Sequence, residues 1–373
     1  LWFRDYLQNR LQSVLIRGQS SEWGEIKAGV PQGSVLGPLL FLVYINDLVN
    51  GIQSDIRLFA DDTTLYLSVD NPDTAAAQLN ADLDSIKSWA DEWLVDFNPT
   101  KTKSMTVSNK NVQQPPLYFN NVELKGVMQH KHLGLTLCSN LSWSTHVNGI
   151  IQSASKMCNV LKQFKYQIDR KSLETIYFTF IRPKLEYGCQ IWDDCTDRDK
   201  EALENVQLNA ARIVTGAKKG TSHLLLKDEL CWQSLSERRV NFKLSHMHKI
   251  VIVTAPSYLT EILPVRVGAK SRYPLRNNSN YEQFHARTEK FKKSFFPDCI
   301  SKWNTLDENV KGIIDYDDFK NSLMLNIASA NPLYYYGSRK ANVIHGQLRM
   351  HCSNLKAHLF ELHVSDDPEC ICS

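Results

Sequence analysis

The sequence predicts an α+β fold: a β-rich first part with helices packed on small sheets, a mainly helical middle, and a mixed C-terminal segment. Three observations carry this. Ile56–Ala60 and Thr63–Ser68 are short β-prone runs flanking Asp61-Asp62, spaced as a two-residue hairpin. Ala76, Leu79, Leu83, Ile86, Ala90 and Trp93 recur at alternating steps of three and four, the mark of one buried helical stripe. After Trp143 the pattern becomes helical, which puts a boundary near residue 140.

Taken in order, residues 1–10 read as the end of a helix, followed by strands Ser13–Ile16 and Glu22–Ala28 around a polar turn at Gly18–Ser21. Gly29-Val-Pro-Gln-Gly-Ser34 is a loop, and Ser34 is placed to cap a helix running to Leu48. Beyond the hairpin and the striped helix, Met105–Ser108, Leu117–Phe119, Val122–Leu124 and His132–Leu137 read as strands separated by Pro-Pro and Asn-Asn turns. Helices are expected over 143–165, 170–181, 197–215 and 233–252. These elements give four regions: 1–140, a helical 141–255, a basic connecting segment 256–294, and 295–373.

Size and composition narrow the function classes. Single cores stop growing at roughly 250–300 residues, so a chain of 373 residues is expected to hold two or three domains. With 43% hydrophobic and 22% charged residues it is neither a disordered chain nor a disulfide miniprotein. A net charge of +3 is too small to identify a nucleic-acid binder, so the distribution of charge has to decide. Between Val265 and Ser294, eight Lys or Arg residues stand against two Glu, with Tyr273, Tyr281, Phe284 and Phe291 interleaved. Such a stretch is either a solvated loop or a phosphate-tracking surface with stacking aromatics. Nine cysteines, an odd number thinly spread, read as reduced intracellular thiols, in the nucleus or the cytoplasm. The longest apolar run, Val35–Ile45, falls well short of the roughly 20 residues that span a bilayer, so no membrane anchor is expected. The first residue is Leu and the chain starts in mid-pattern, so it is expected to be cut at its start.

Adjacent carboxylates at a hairpin tip repel one another unless a cation lies between them, and Asp is also simply a good turn residue. Asp61 and Asp62 are therefore either a turn or part of a Mg²⁺ site, where a few carboxylates act together with substrate phosphates and water. In Pro31-Gln32-Gly33-Ser34, Gly33 allows close approach of another backbone and Gln32 offers amide hydrogen bonds; the plain alternative is a tight turn before a core helix. Asn98-Pro-Thr-Lys-Thr-Lys103 presents Lys101 and Lys103, which suit a nucleotide phosphate or, more plainly, a solvated turn.

Together these blocks resemble the palm of reverse transcriptases from non-LTR retrotransposons. The matching text is Gly29–Leu48, Leu58-Phe-Ala-Asp-Asp-Thr-Thr-Leu-Tyr66, Trp93–Lys103, and His132-Leu-Gly-Leu135 with Leu141-Ser-Trp-Ser-Thr-His146. Tyr177–Glu186 with Tyr187-Gly-Cys-Gln-Ile-Trp192, Gln207–Thr215 and Ser294–Asn304 look like the thumb and following region, so the resemblance covers nearly the whole chain. It implies a partial polymerase palm over 1–140 and a helical thumb over 141–255. Asp61 and Asp62 become the palm's metal-binding pair, Gln32 and Gly33 contacts near the incoming nucleotide and template-primer, Lys101 the phosphate-side lysine with Lys103 second, and His132–Leu135 the primer-grip hairpin. The implied reaction is RNA-templated DNA synthesis, in which a DNA primer 3′-hydroxyl attacks a dNTP with Mg²⁺ in attendance. The family also needs an aspartate on a strand that would lie upstream of Leu1, and neither Asp5 nor Glu22 substitutes for it. The Mg²⁺ site is thus expected to be incomplete and this chain alone inactive or nearly so, with a non-catalytic nucleic-acid-binding remnant as the alternative. Near the other end, Cys370 and Cys372 with His358 and His363 make a candidate Zn²⁺ set, against the simpler account of scattered histidines and a free thiol pair.

Overall fold

The computed structural model describes residues 2–26, 29–31, 33–108, 112, 115–270, 278–324 and 338–350. It is an α+β chain that divides into two compact units, Leu1–His130 and Lys131–Ser373. No helix among the described residues is long and apolar enough to cross a membrane.

The first unit starts with α1 (Trp2–Leu7) and four two-residue strands, β1 (Leu11–Gln12), β2 (Leu15–Ile16), β3 (Gln19–Ser20) and β4 (Gly24–Glu25). β1 pairs with β4 and β2 with β3, both antiparallel, so the reversal falls at Arg17-Gly18, where both residues have positive φ, and not over Gly18–Ser21. α2 (Leu36–Ile45) continues into a 3₁₀ turn at Asn46–Val49. The N-cap is Val35, not the expected Ser34, but the Ser34 hydroxyl one residue earlier still accepts from the Gly37 N–H at 3.0 Å and donates to the Pro31 carbonyl at 2.7 Å. A Cβ on Gly37 would lie 2.7 Å from that carbonyl, which is why glycine stands there.

β5 (Asp55–Phe59) and β6 (Asp62–Tyr66) form an antiparallel hairpin, Ile56 opposite Leu65 and Phe59 opposite Asp62. α3 (Pro72–Glu92) follows, capped by the Asn71 side chain on the N–H groups of Asp73 and Thr74. Its stripe of Ala76, Leu83 and Ile86 buries against Ile45, Leu48 and Phe119, with Ile56, Leu58 and Leu65 of the hairpin packed alongside. Asp82 lies on the same helix and is buried. Its two carboxylate oxygens accept the backbone N–H groups of Gln53 and Ser54, each at 2.9 Å, so the helix holds the strand entry. Burial alone would raise the Asp82 pKa, but these bonds keep it below the ordinary carboxylate value. The remaining short strands of this unit are β7 (Lys103–Ser104), β8 (Tyr118–Phe119), β9 (Val122–Glu123) and β10 (Lys125–Gly126). β8 pairs with β9, while β7 runs parallel to β10.

β11 (Gln129–His132) and β12 (Leu135–Cys138) form a hairpin where the apolar pattern reads as one strand, because Leu133-Gly134 turns the chain with positive φ at both residues. Helices then dominate: α4 (Ser144–Gln163), α5 (Arg170–Ile176), a π turn at Tyr177–Ile181, α6 (Arg182–Glu186), α7 (Cys189–Trp192), α8 (Asp197–Thr215), α9 (His223–Leu230) and α10 (Leu235–Val251). The π turn ends two residues before Pro183, which lacks the N–H that an uninterrupted helix would donate to Thr179. Val147, Cys158, Tyr177, Trp192, Leu203 and Val214 form the centre of this core. The polar tip of Tyr177 is satisfied by the Gln207 side chain at 2.5 Å, and its ring stacks on Trp232 at 4.3 Å.

After α11 (Ser257–Glu261) come α12 (Glu289–Lys293), α13 (Phe295–Asn304), α14 (Glu308–Lys311), α15 (Tyr316–Ser322) and α16 (Arg339–Arg349). A further core gathers Met247, Ile300, Trp303 and Phe319. Asp193 links the two cores, meeting Arg239 at 2.7 Å and Lys243 at 2.5 Å, and Lys243 continues to Asp298 at 2.8 Å. Glu229 binds Arg170 at 2.7 Å and the Arg349 Nε at 2.8 Å, which ties α16 to α5 and α9. Because each ion has a partner, these buried charges are structural; removing one partner would strand the other.

Two outcomes follow from Asp82 and from His146. Asp82→Asn keeps one acceptor but sets an amide N–H₂ against the second backbone N–H; it should lower the unfolding free energy of the first unit by about 1.5–3 kcal/mol, read by urea unfolding. The buried His146 ring accepts the Thr136 N–H at Nδ1, 3.3 Å away, which requires a neutral imidazole. Burial, and secondarily the Lys131 charge, hold its pKa below the ordinary 6.5. Burial, and secondarily Lys249, do the same to His246. A folded state that refuses protons the unfolded chain accepts is fully stable above 6.5 and loses stability as pH falls through that value. The melting temperature should therefore drop between about pH 7 and pH 5, and His146→Phe should flatten part of that slope.

Candidate nucleotidyl-transfer site

The acidic pair sits at the tip of the β5–β6 hairpin, but the loop is Ala60-Asp61, not Asp61-Asp62, and Asp62 is the first residue of β6. Alternation alone does not choose between these registers. Both keep Ile56, Leu58 and Leu65 on the core side. In the observed register Asp62 stands opposite Phe59, and both carboxylates of the acidic pair are exposed. Ala60 takes φ of +51°, a left-handed conformation that costs a non-glycine residue about 1–2 kcal/mol. That cost is met by a hairpin whose two arms are packed on α3 and whose entry is held by Asp82. Strain at the tip and an anchored base together present two oxygen donors at a fixed point.

Gly33 has φ of +80° and open space where a side chain would be, so its backbone can be approached closely. The turn behind it is fixed by Ser34, whose hydroxyl also accepts from Tyr6 at 2.6 Å. Gln32, the other residue expected here, lies outside the described residues.

The lysine turn is built by Asn98. Its side-chain oxygen accepts from the Thr100 N–H at 3.0 Å, the Thr100 hydroxyl at 2.7 Å and the Lys101 N–H at 3.3 Å. Lys103 folds back on the same turn, its ammonium donating to the Thr100 carbonyl at 2.6 Å, whereas Lys101 is exposed. Of the two lysines, Lys101 is the more exposed. Among the described residues no hydrogen bond or ion pair joins either lysine to Asp61 or Asp62, and no group of three or more His, Cys, Asp or Glu could hold a metal. Two hard oxygen donors fit one side of a Mg²⁺ site and do not complete it. The candidate zinc ligands His358, His363, Cys370 and Cys372 all lie outside the described residues.

Two positions that matter to these loops were not singled out from the sequence for this role. Asp82 could have been flagged, since it is an acid placed three residues after Leu79 and four before Ile86 on an apolar stripe. Tyr187 carried no such signal; its hydroxyl donates to the Leu133 carbonyl at 2.9 Å across 54 positions of chain.

Comparison with known proteins finds relatives of the segment that carries these loops. Residues 2–137 match the family described as "Reverse transcriptase (RNA-dependent DNA polymerase)". The chain is 30% identical over 228 residues to the "Probable RNA-directed DNA polymerase from transposon X-element" of Drosophila melanogaster, covering 58% of this chain and 25% of that protein. Over 229 residues it is 29% identical to the "Probable RNA-directed DNA polymerase from transposon BS" of the same fly, covering 57% and 25%. It is also 28% identical over 225 residues to the "RNA-directed DNA polymerase from mobile element jockey" of Drosophila melanogaster, again covering 57% and 25%. The chain thus spans about a quarter of the length of the curated relatives it matches. The Asp61–Asp62 hairpin, the Gly33 turn and the Asn98–Lys103 turn all lie inside the matched segment, which is similar to the reverse transcriptases of retrotransposons.

Proposed function

We propose that this chain carries the palm and thumb parts of a retrotransposon RNA-directed DNA polymerase, acting on an RNA template, a DNA primer and dNTPs. The observation that carries the reading is the anchored hairpin of the family-matched segment, which presents Asp61 and Asp62 at its tip. Asp61 and Asp62 supply carboxylate oxygens to Mg²⁺, which would lower the cost of ionising the primer 3′-hydroxyl and offset charge on the departing pyrophosphate. Lys101, exposed on its Asn98-built turn, faces the nucleotide's phosphates as a mobile cation, while Lys103 keeps the turn closed. Gly33 admits the nucleotide or the primer-template without side-chain obstruction. Metal affinity is weak, since two exposed carboxylates form only part of a cage, and extension by the isolated chain is correspondingly slight.

A second reading, non-catalytic binding of nucleic acid, is favoured by one observation. Arg287, Lys292 and Lys293 are exposed in the basic segment beside Phe291, whereas Lys290 is held by the Asn140 carbonyl at 3.1 Å and by that of Leu141. Arg272, Tyr273 and Arg276 of that segment lie outside the described residues.

Primer-template binding by the 373-residue chain should weaken steeply with salt. Replacing Lys292 and Lys293 together by Ala should reduce the slope of log K against log salt by about 0.9 for every phosphate those two ammonium groups neutralise. Affinity indifferent to salt would count against both readings. Asp61→Ala and Asp62→Ala should leave that binding intact and abolish any Mg²⁺-dependent extension of the primer. Binding with no extension under any Mg²⁺ concentration, even after the chain's sequence is placed within an intact relative, would favour the second reading.

A further inference from the structure

The hairpin that resembles a primer grip ends in a turn fitted to another turn in the helical unit. Leu133 and Gly134 have φ of +45° and +84°, the signs a type I′ hairpin loop requires. Leu is an unusual occupant of a left-handed position, where Asn, Asp or Gly is the common choice. Opposite lies Tyr187-Gly188 between α6 and α7, with φ, ψ of −57°, 123° and 64°, 17°, a type II turn needing glycine at its second central position. Each glycine is also where a side chain of the other hairpin or turn sits. A Cβ on Gly134 would lie 3.0 Å from the Tyr187 ring, and one on Gly188 would lie 2.9 Å from Leu135. The Tyr187 hydroxyl closes the pair by donating to the Leu133 carbonyl at 2.9 Å. Behind it, the indole N–H of the fully buried Trp192 donates to the Tyr187 carbonyl at 2.8 Å, which fixes the second turn to the core.

Tyr187 itself is 59% exposed, so burying its ring is not what it contributes. Its contribution is order: it gives a strained, exposed loop a hydrogen bond and a ring to rest on, and through Trp192 it connects that loop to the helical core. We propose that Tyr187 is a positioning residue that locks the Leu133–Gly134 turn to the helical unit, so that a primer 3′ end gripped there meets a rigid surface. The primer role rests on the polymerase reading above; the lock itself does not.

The test uses the full chain with Tyr187→Phe, which keeps the ring and removes the hydroxyl, and Tyr187→Ala, which removes both. Hydrogen exchange of a peptide covering residues 131–138 should speed up about tenfold in Tyr187→Ala and several-fold in Tyr187→Phe, with an unchanged melting temperature. Unchanged exchange in Tyr187→Ala overturns the lock. Binding is then compared between a primer-template with a recessed 3′ end and a blunt duplex of equal length. The expected result is a preference for the recessed end that Tyr187→Phe weakens several-fold and Tyr187→Ala abolishes. If the natural chain shows that preference and both variants keep it, the primer role is overturned although the lock stands. If the natural chain shows no preference at all, the polymerase reading and the primer role fall together, and the exchange result alone decides the lock.

Discussion

A two-stranded ribbon is marginal in water, and every sheet among the described residues is two-stranded. Each loop that carries candidate chemistry therefore has to borrow its rigidity from elsewhere. For the acidic hairpin the lender is α3, which supplies an apolar stripe under Ile56, Leu58 and Leu65 and a carboxylate at the strand entry. The Asp82 contact is effective because it joins a charged acceptor to two successive backbone donors, the strong class of hydrogen bond. It acts on the base of the hairpin, and the strained Ala60 at the tip then has a fixed frame to lean against.

The second ribbon solves the same problem differently. β12 is held by the His146 ring on the Thr136 N–H, and the turn before it is held by Tyr187. Both holds come from helical segments whose own positions are set by the core around Trp192. The two ribbons thus differ in what can disturb them. Asp82 is lost to acid only in the carboxylate range, because its pKa is held low, whereas His146 is disturbed as soon as imidazoles begin to charge. Mild acid should loosen the hairpin of the helical unit before it touches the acidic one.

Periodicity made the helices legible in the sequence. The stripe from Ala76 to Ala90 and the helices at 144–163, 197–215 and 235–251 fall where their apolar spacing puts them. Turns were less legible, for reasons specific to each. The register of the acidic hairpin was undecidable because a shift that preserves both faces leaves the alternation unchanged. By pattern His132–Leu137 reads as a single strand, because Leu133 is an apolar residue in the place of a turn residue; only the resemblance placed a hairpin at His132–Leu135. The long-range holds left almost no local trace: Asp82 meets backbone N–H groups 28 and 29 positions away, and backbone donors have no sequence signature. The acidic pair was visible as a pair, but it read equally as a plain turn until the neighbouring blocks were taken with it.

The same division between residue and support bears on how such a site tolerates change. Asp61, Asp62 and Lys101 are exposed, so replacing them costs little folding free energy, and under the proposed function their loss should be felt in chemistry alone. Asp82, His146 and the glycine pair Gly134 and Gly188 are the reverse: they touch no substrate in the proposed reaction, yet each occupies a place that only a narrow set of side chains can fill. A chain that kept the fold but lost the chemistry would be expected to retain the second group and vary the first.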